Sequence, residues 1–190
     1  MRERHAVTVG APAAFVLDVA RNFDPQSIPA VRVIFAVREK VMGARVDRGD
    51  LPTGLVPWTL AMGWGALADE PGRFFVAGAA CQPWKADVDF TPIPSERFAS
   101  YAEPDRVKIA WTLETEPLGP ATSRFASETR AFATDSAARE KFRRYWRFAR
   151  FGIVAIRWLL LPGVRREAEQ RWRCREADRP IDSPGHHEHP

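Results

Sequence analysis

Cysteine is nearly missing: Cys81 and Cys174 are the only two in 190 residues, far apart and in unlike surroundings, so they suggest neither a disulfide framework nor a C-x-x-C motif. A reducing, cytoplasmic setting is the expected compartment. Histidine is almost as sparse. His5 stands alone outside the last residues, which leaves no Ser-His-Asp or Cys-His arrangement to nominate. His186, His187 and His189 crowd a Pro-rich end, and a closed zinc site wants four convergent ligands, so neither a metal nor a cofactor is expected. A phosphate-cradling loop is missing too, because Gly63-Trp64-Gly65 lacks the third glycine and the strand-to-helix setting. Long apolar runs are also absent. The most apolar stretch, Phe151 to Leu161, falls far short of the roughly 20 residues that cross a bilayer and carries Arg157. The charged opening Met1-Arg2-Glu3-Arg4-His5 is not followed by the apolar segment of a secretion signal.

What the chain has in abundance is aromatic surface and positive charge. Twelve Phe and seven Trp, in a sequence that is 45% hydrophobic, supply a sizeable core for one domain. That domain is expected over residues 1–172, with a disordered Pro- and His-rich tail at 173–190. The net charge of +4 comes mainly from arginines between Arg139 and Arg179. A solvated helix face is the first reading of such a stretch, and peripheral contact with anionic lipid is the second. Nucleic acid is not expected, since no helix-turn-helix, zinc-finger spacing or exposed aromatic run accompanies the arginines. Nothing in the sequence sets the oligomeric state.

Periodicity predicts the elements. Asp135 precedes a run of good helix formers, as an N-cap does, and Phe142, Trp146, Ala149, Ile153, Ile156 and Leu160 then recur at three- and four-residue steps. A helix from Ser136 to Leu161 would be about 39 Å long at roughly 1.5 Å per residue, with a kink or restart expected at Pro162-Gly163. Upstream, His5 to Val9 alternates as a first strand, Pro12 opens a helix, and Ile28 to Met42 reads as a second helix ended by Gly43, with strand as the alternative for Val31 to Val37. Ala44 to Pro57 is a polar connector. Strands follow: a hairpin of Thr59 to Ala68 with Arg73 to Cys81 across Asp69-Glu70-Pro71-Gly72, an extended piece at Val88 to Phe90, and a pair formed by Val107 to Glu114 and Thr122 to Thr134. Helices segregated to one face of an antiparallel sheet make an α+β domain.

Three stretches carry a resemblance: Ala11-Pro12 after the opening strand, the hairpin Gly63 to Phe75, and Ala110-Trp111-Thr112-Leu113 through Ser127 to Asp135 into the helix with Tyr145-Trp146. With this order of elements the chain resembles the helix-grip superfamily, also called START-like or SRPBCC, which includes lipid-transfer domains and polyketide cyclases/aromatases. The likeness spans residues 5 to 172 and is greatest to uncharacterised bacterial members. It implies a curved antiparallel sheet wrapped around a long C-terminal helix, with two short helices after the first strand. A cavity between sheet and helix would take a small hydrophobic or amphipathic molecule. The polar connector at Ala44 to Pro57 departs from that outline.

Within such a cavity Trp64, Trp84, Trp111, Phe142 and Trp146 are the expected wall residues. Glu128 and Arg130, two apart on a strand, share one face and form a candidate polar anchor if that face is concave; the convex side, where they would be surface partners, is favoured. Tyr101 and Tyr145 are the other polar candidates. Binding without catalysis is the expected activity. A cyclase/aromatase-like reaction is one alternative and would need Glu128, Tyr101 or Tyr145 as acid or base in the cavity. A peripheral membrane or interaction module is the other, and would need the apolar side of Phe151 to Leu161 to face solvent.

Overall fold

The computed structural model describes residues 1–43 and 52–178 of the chain. β1 (Arg2–Val9) alternates as its sequence demands, with Glu3, His5, Val7 and Val9 turned inward. Pro12 then sets the entry to α1 (Ala13–Asn22) with its extended backbone, and Val16 N donates to Pro12 O at 3.0 Å. Val16, Leu17, Val19 and Ala20 form the buried side of α1. After a 3₁₀ turn at Pro25–Ser27, capped by Asp24, the chain forms α2 (Pro29–Met42), so helix prevails over the strand alternative. Gly43 ends it at a φ of +67°.

Residues 44–51 of the polar connector lie outside the described residues. The sequence pattern predicts a strand from Thr59, but the structure forms α3 (Leu55–Ala61) there. The reason is packing: Leu55, Val56 and Thr59 fall on one helical side and are buried, and the Thr59 hydroxyl donates to Leu55 O at 2.7 Å. The strand begins only at Gly65, after Gly63 turns the chain at a φ of +95°.

β2 (Gly65–Glu70) and β3 (Phe74–Cys81) form the expected hairpin. A short β4 (Thr91–Pro92) pairs with β3 just beyond the extended piece predicted at Val88 to Phe90, and one turn of helix, α4 (Ser95–Phe98), follows. β5 (Val107–Gly119) and β6 (Thr122–Ala133) are long antiparallel partners. The sheet runs β1-β6-β5-β3-β2, antiparallel throughout, with β4 added to β3.

The chain closes with α5 (Ser136–Ala177), a helix of 42 residues. It is about 63 Å long. Asp135 caps it as the sequence indicates, accepting from Ala138 N at 2.7 Å and from Asp105 N at 2.5 Å. The expected break at Pro162-Gly163 does not occur, and helix continues through residues 173–177, where the sequence predicts a disordered tail. An internal proline removes one backbone hydrogen bond. That loss is offset because Leu161, Gly163, Val164 and Ala168 are all buried on either side of it. At Gly163 the approach is so close that a Cβ would stand 2.9 Å from Phe23 Cζ. Residues 179–190, with His186, His187 and His189, lie outside the described residues.

Candidate functional site

Strand alternation puts Ser123, Phe125, Ser127, Thr129, Ala131 and Ala133 of β6 on the side that faces α5. The row is large at Phe125 and small from Ser127 onward. Phe125 joins Val9, Val16, Leu113, Leu161 and Val164 in a sealed core under α1 and the far part of α5. Ala131 and Ala133 instead join a smaller cluster with Val107, Ala138 and Phe142. There a groove of about 580 Å³ lies between β6 and the first turns of α5, with Ala131 and Ala133 as floor, Phe142 and Trp146 as wall, and Arg143 and Arg147 at its mouth. A second hollow of about 620 Å³ lies away from the sheet, between Phe23, Ile28 and the last turns of α5.

One step along β6 from the groove floor, the inner face becomes polar. Glu3 of β1 and Trp111 of β5 stand directly beside Thr129, and His5 stands beside Ser127. The Trp111 indole donates to Ser127 Oγ at 3.0 Å. Down onto this row comes Arg157 from α5, 7% exposed, whose Nη2 donates to Thr129 Oγ1. Its Nη1 has no hydrogen-bond partner among the described residues. Burial pushes the guanidinium below its ordinary pKa, and the Glu3 carboxylate pulls in the opposite direction. A buried arginine with a spare donor can receive a carboxylate or phosphate in a forked pair. Arg157 does not itself line the groove, and Thr129 beneath it is two residues along β6 from Ala131 of the floor.

The predicted wall residues divide between two places. Trp84, Phe142 and Trp146 cluster at the groove end, and Trp64 and Trp111 pack on the sealed core. Only Phe142 and Trp146 line the groove itself. Trp84 sits under the Lys141 ammonium, and Trp64 packs on Phe90 with ring centroids 5.3 Å apart. Trp111 stands at the polar row instead, next to the residue that holds Arg157.

The polar candidates are mostly elsewhere. Glu128 and Arg130 occupy the row of β6 that faces away from α5, so they are not groups of the groove. Glu128 is 6% exposed and ringed by arginines: Arg2 grips it with Nε at 2.9 Å and Nη2 at 3.0 Å, Arg4 Nη1 reaches it at 3.3 Å, and Arg130 Nε bonds it as well. These partners, Arg2 first, hold its pKa down to about 2 against the opposing effect of burial. Tyr101 donates to Glu103 Oε2 at 2.9 Å, and its backbone carbonyl accepts from Lys108, a residue of the same outer face as Phe132. Tyr145 stacks on Phe142 at 6.4 Å beside the groove.

Sequence reasoning missed Arg157 as a site residue. The signal was available: Arg157 is four residues past Ile153 and four before Leu161, so it lies on the inward stripe. The small row Ser127, Thr129, Ala131, Ala133 was equally readable, as the side of β6 that leaves room.

No protein-family model matches the chain, and no curated protein matches it in sequence at a significant level. Solved structures do resemble it. A conserved protein from Geobacillus kaustophilus is 11% identical at a TM-score of 0.37, the match covering 86% of this chain and 95% of that one. A Deinococcus radiodurans protein is 16% identical at a TM-score of 0.32, over 80% and 99% of the two chains. The Zhui aromatase/cyclase of a Streptomyces species is 12% identical at 0.32, over 90% and 94%. At such TM-scores none of the three fixes a ligand or a reaction for this chain. The topology itself carries the fold assignment: an antiparallel sheet packed against one long C-terminal helix, with short helices after β1. The chain has a helix-grip fold. In the helix-grip frame, the groove and Arg157 both lie on the side of the sheet that faces the helix.

Proposed function

We propose that this helix-grip protein binds a small amphipathic molecule in the groove between β6 and α5. The apolar part lies against Phe142 and Trp146, and an acidic group reaches Arg157. The observation that carries this reading is the buried guanidinium that bonds Thr129 while its Nη1 has no hydrogen-bond partner among the described residues. Leaving a buried charged donor unsatisfied is costly, and an anionic group supplied by a ligand removes that cost. Binding without chemistry is favoured over a cyclase-like reaction, because two of the three acid/base candidates, Glu128 and Tyr101, are engaged with other partners outside the groove, which leaves only Tyr145 of the three beside it. A cytoplasmic location suits two cysteines, Cys81 and Cys174, that are not joined in a disulfide. Among the described residues, no helix is long and apolar enough to cross a membrane.

The test is native mass spectrometry of protein purified from its own host. The expected result is a co-purifying acidic molecule that is retained by the wild type, released on denaturation and missing from an Arg157→Gln variant. Only apo mass in both proteins, or equal retention by the variant, would count against the proposal.

A further inference from the structure

The outward side of α5 carries a second stripe. Phe148, Phe151, Ala155, Trp158 and Pro162 recur at steps of three and four residues, and Phe148, Phe151 and Trp158 are 78%, 66% and 69% exposed. α2 lies alongside at Gly152, where Ile34 Cγ2 would be 3.5 Å from an added Cβ, and α2 contributes exposed Val33 and Val37 one turn apart. Single exposed apolar side chains are ordinary, but a run of large ones on adjoining helices marks a contact surface.

Charge says what kind of surface fits. From Lys141 to Arg166 the helix carries no Asp or Glu at all. Exposed Arg144, Arg147 and Arg150 flank the apolar stripe. The guanidinium of Arg147 lies over the Phe148 ring at 6.0 Å and that of Arg150 over the Phe151 ring at 5.1 Å, so cation and ring are presented at one level. A second copy of the chain would set these arginine rows against each other. A nucleic acid would engage the arginines but offer nothing apolar to Val33, Val37 and the phenylalanines. An anionic membrane takes both, rings and aliphatic side chains entering the acyl boundary while arginines meet lipid phosphates.

We propose that the α2–α5 face docks this protein on an anionic lipid surface, with Phe148, Phe151 and Trp158 as the inserting residues. The face is on the opposite side of α5 from the groove, so docking and ligand binding fail separately.

The test is co-sedimentation of the full chain with vesicles of phosphatidylcholine alone or with a third phosphatidylglycerol. Binding is expected to be about tenfold stronger to the anionic vesicles and to fall as salt is raised toward 1 M, where screening shortens to about 3 Å. Phe148→Ser with Trp158→Ser, both at exposed positions, should lower that binding about tenfold with an unchanged circular dichroism spectrum. Arg144→Gln with Arg150→Gln, neither of them a residue of the groove, should abolish the preference for anionic vesicles. Equal binding to neutral vesicles, no binding to either, or full-strength binding by the double serine variant overturns the proposal. So does a sedimentation-velocity dimer that the serine variant turns into monomer, or tighter binding to nucleic acid that the serine variant leaves intact.

Discussion

The two ends of α5 meet the same strand and are packed in opposite ways. Toward Ala168 the helix is wedged against α1 and β6 with Val9, Leu113, Phe125 and Val164 sealed from solvent, and Glu169 ties it to Gly10 N at 3.0 Å. Toward Ser136 it faces Ala131 and Ala133 across an open groove. The difference comes from one inward row of β6, which is large at Phe125 and small beyond it. A large side chain closes the space and contributes stability; small ones leave room for another molecule. The groove end has a smaller cluster of its own, built on Val107, Ala131, Ala133, Ala138 and Phe142, and on the outer face there the Arg2–Glu128–Arg130 cluster joins β1 to β6.

Mutations at each end should therefore act in different ways. The largest effect belongs to the sealed end: Phe125→Ala should cost about 3–5 kcal/mol in chemical denaturation, the range for a buried aromatic removed without collapse. A near-neutral result would mean that this end is no better packed than the groove. Next is Glu128→Gln, expected to cost about 2 kcal/mol at neutral pH, less than the full shift implies because its arginines are partly in solvent. With a folded pKa of about 2 against an ordinary 4.5, Glu128 stabilises fully above that ordinary value, and its contribution fades as pH falls through the folded one. The wild-type advantage over the glutamine variant should accordingly shrink steadily in denaturation series run below pH 4.5.

Smaller still is Gly163→Ala. Overpacking against Phe23 costs about 1–3 kcal/mol, and better helix propensity returns about 1. A net loss of about 1 kcal/mol in thermal unfolding would fit; a gain would show that Phe23 yields freely. The least effect on stability is expected from Ala131→Leu in the groove floor, a change within about 1 kcal/mol since space is already there. That variant should nonetheless lose uptake of a fluorescent fatty-acid probe. Unaltered uptake would place the ligand elsewhere.

The fold was largely legible because its elements announce themselves. Asp135 reads as a cap, the β5 alternation of Val107, Ile109, Trp111 and Leu113 is strict, and Phe142 and Trp146 keep helical step. What was not legible depended on tertiary contacts. Leu55 to Ala61 is helical because α1 offers it a surface, which no local pattern near Thr59 reveals. Helix survives Pro162 because the turns on both sides are buried. Glu128 and Arg130 are two apart and must share a face, but which face is settled only by where α5 lies. Arg157 looked like a charge interrupting an apolar run, and its meaning appears only once Thr129 is seen beneath it.

The central claim is that Arg157 waits for an acidic group carried by an apolar molecule. Isothermal titration of the wild type and of Arg157→Met with a medium-chain fatty acid, and with the alcohol of equal length, tests it most directly. The wild type should bind the acid at least about tenfold more tightly than the alcohol, and the methionine variant should bind the two alike, a gap of about 1.4 kcal/mol gained and lost with one guanidinium. Equal affinity of the wild type for acid and alcohol, or an acid preference that survives in the variant, would contradict it.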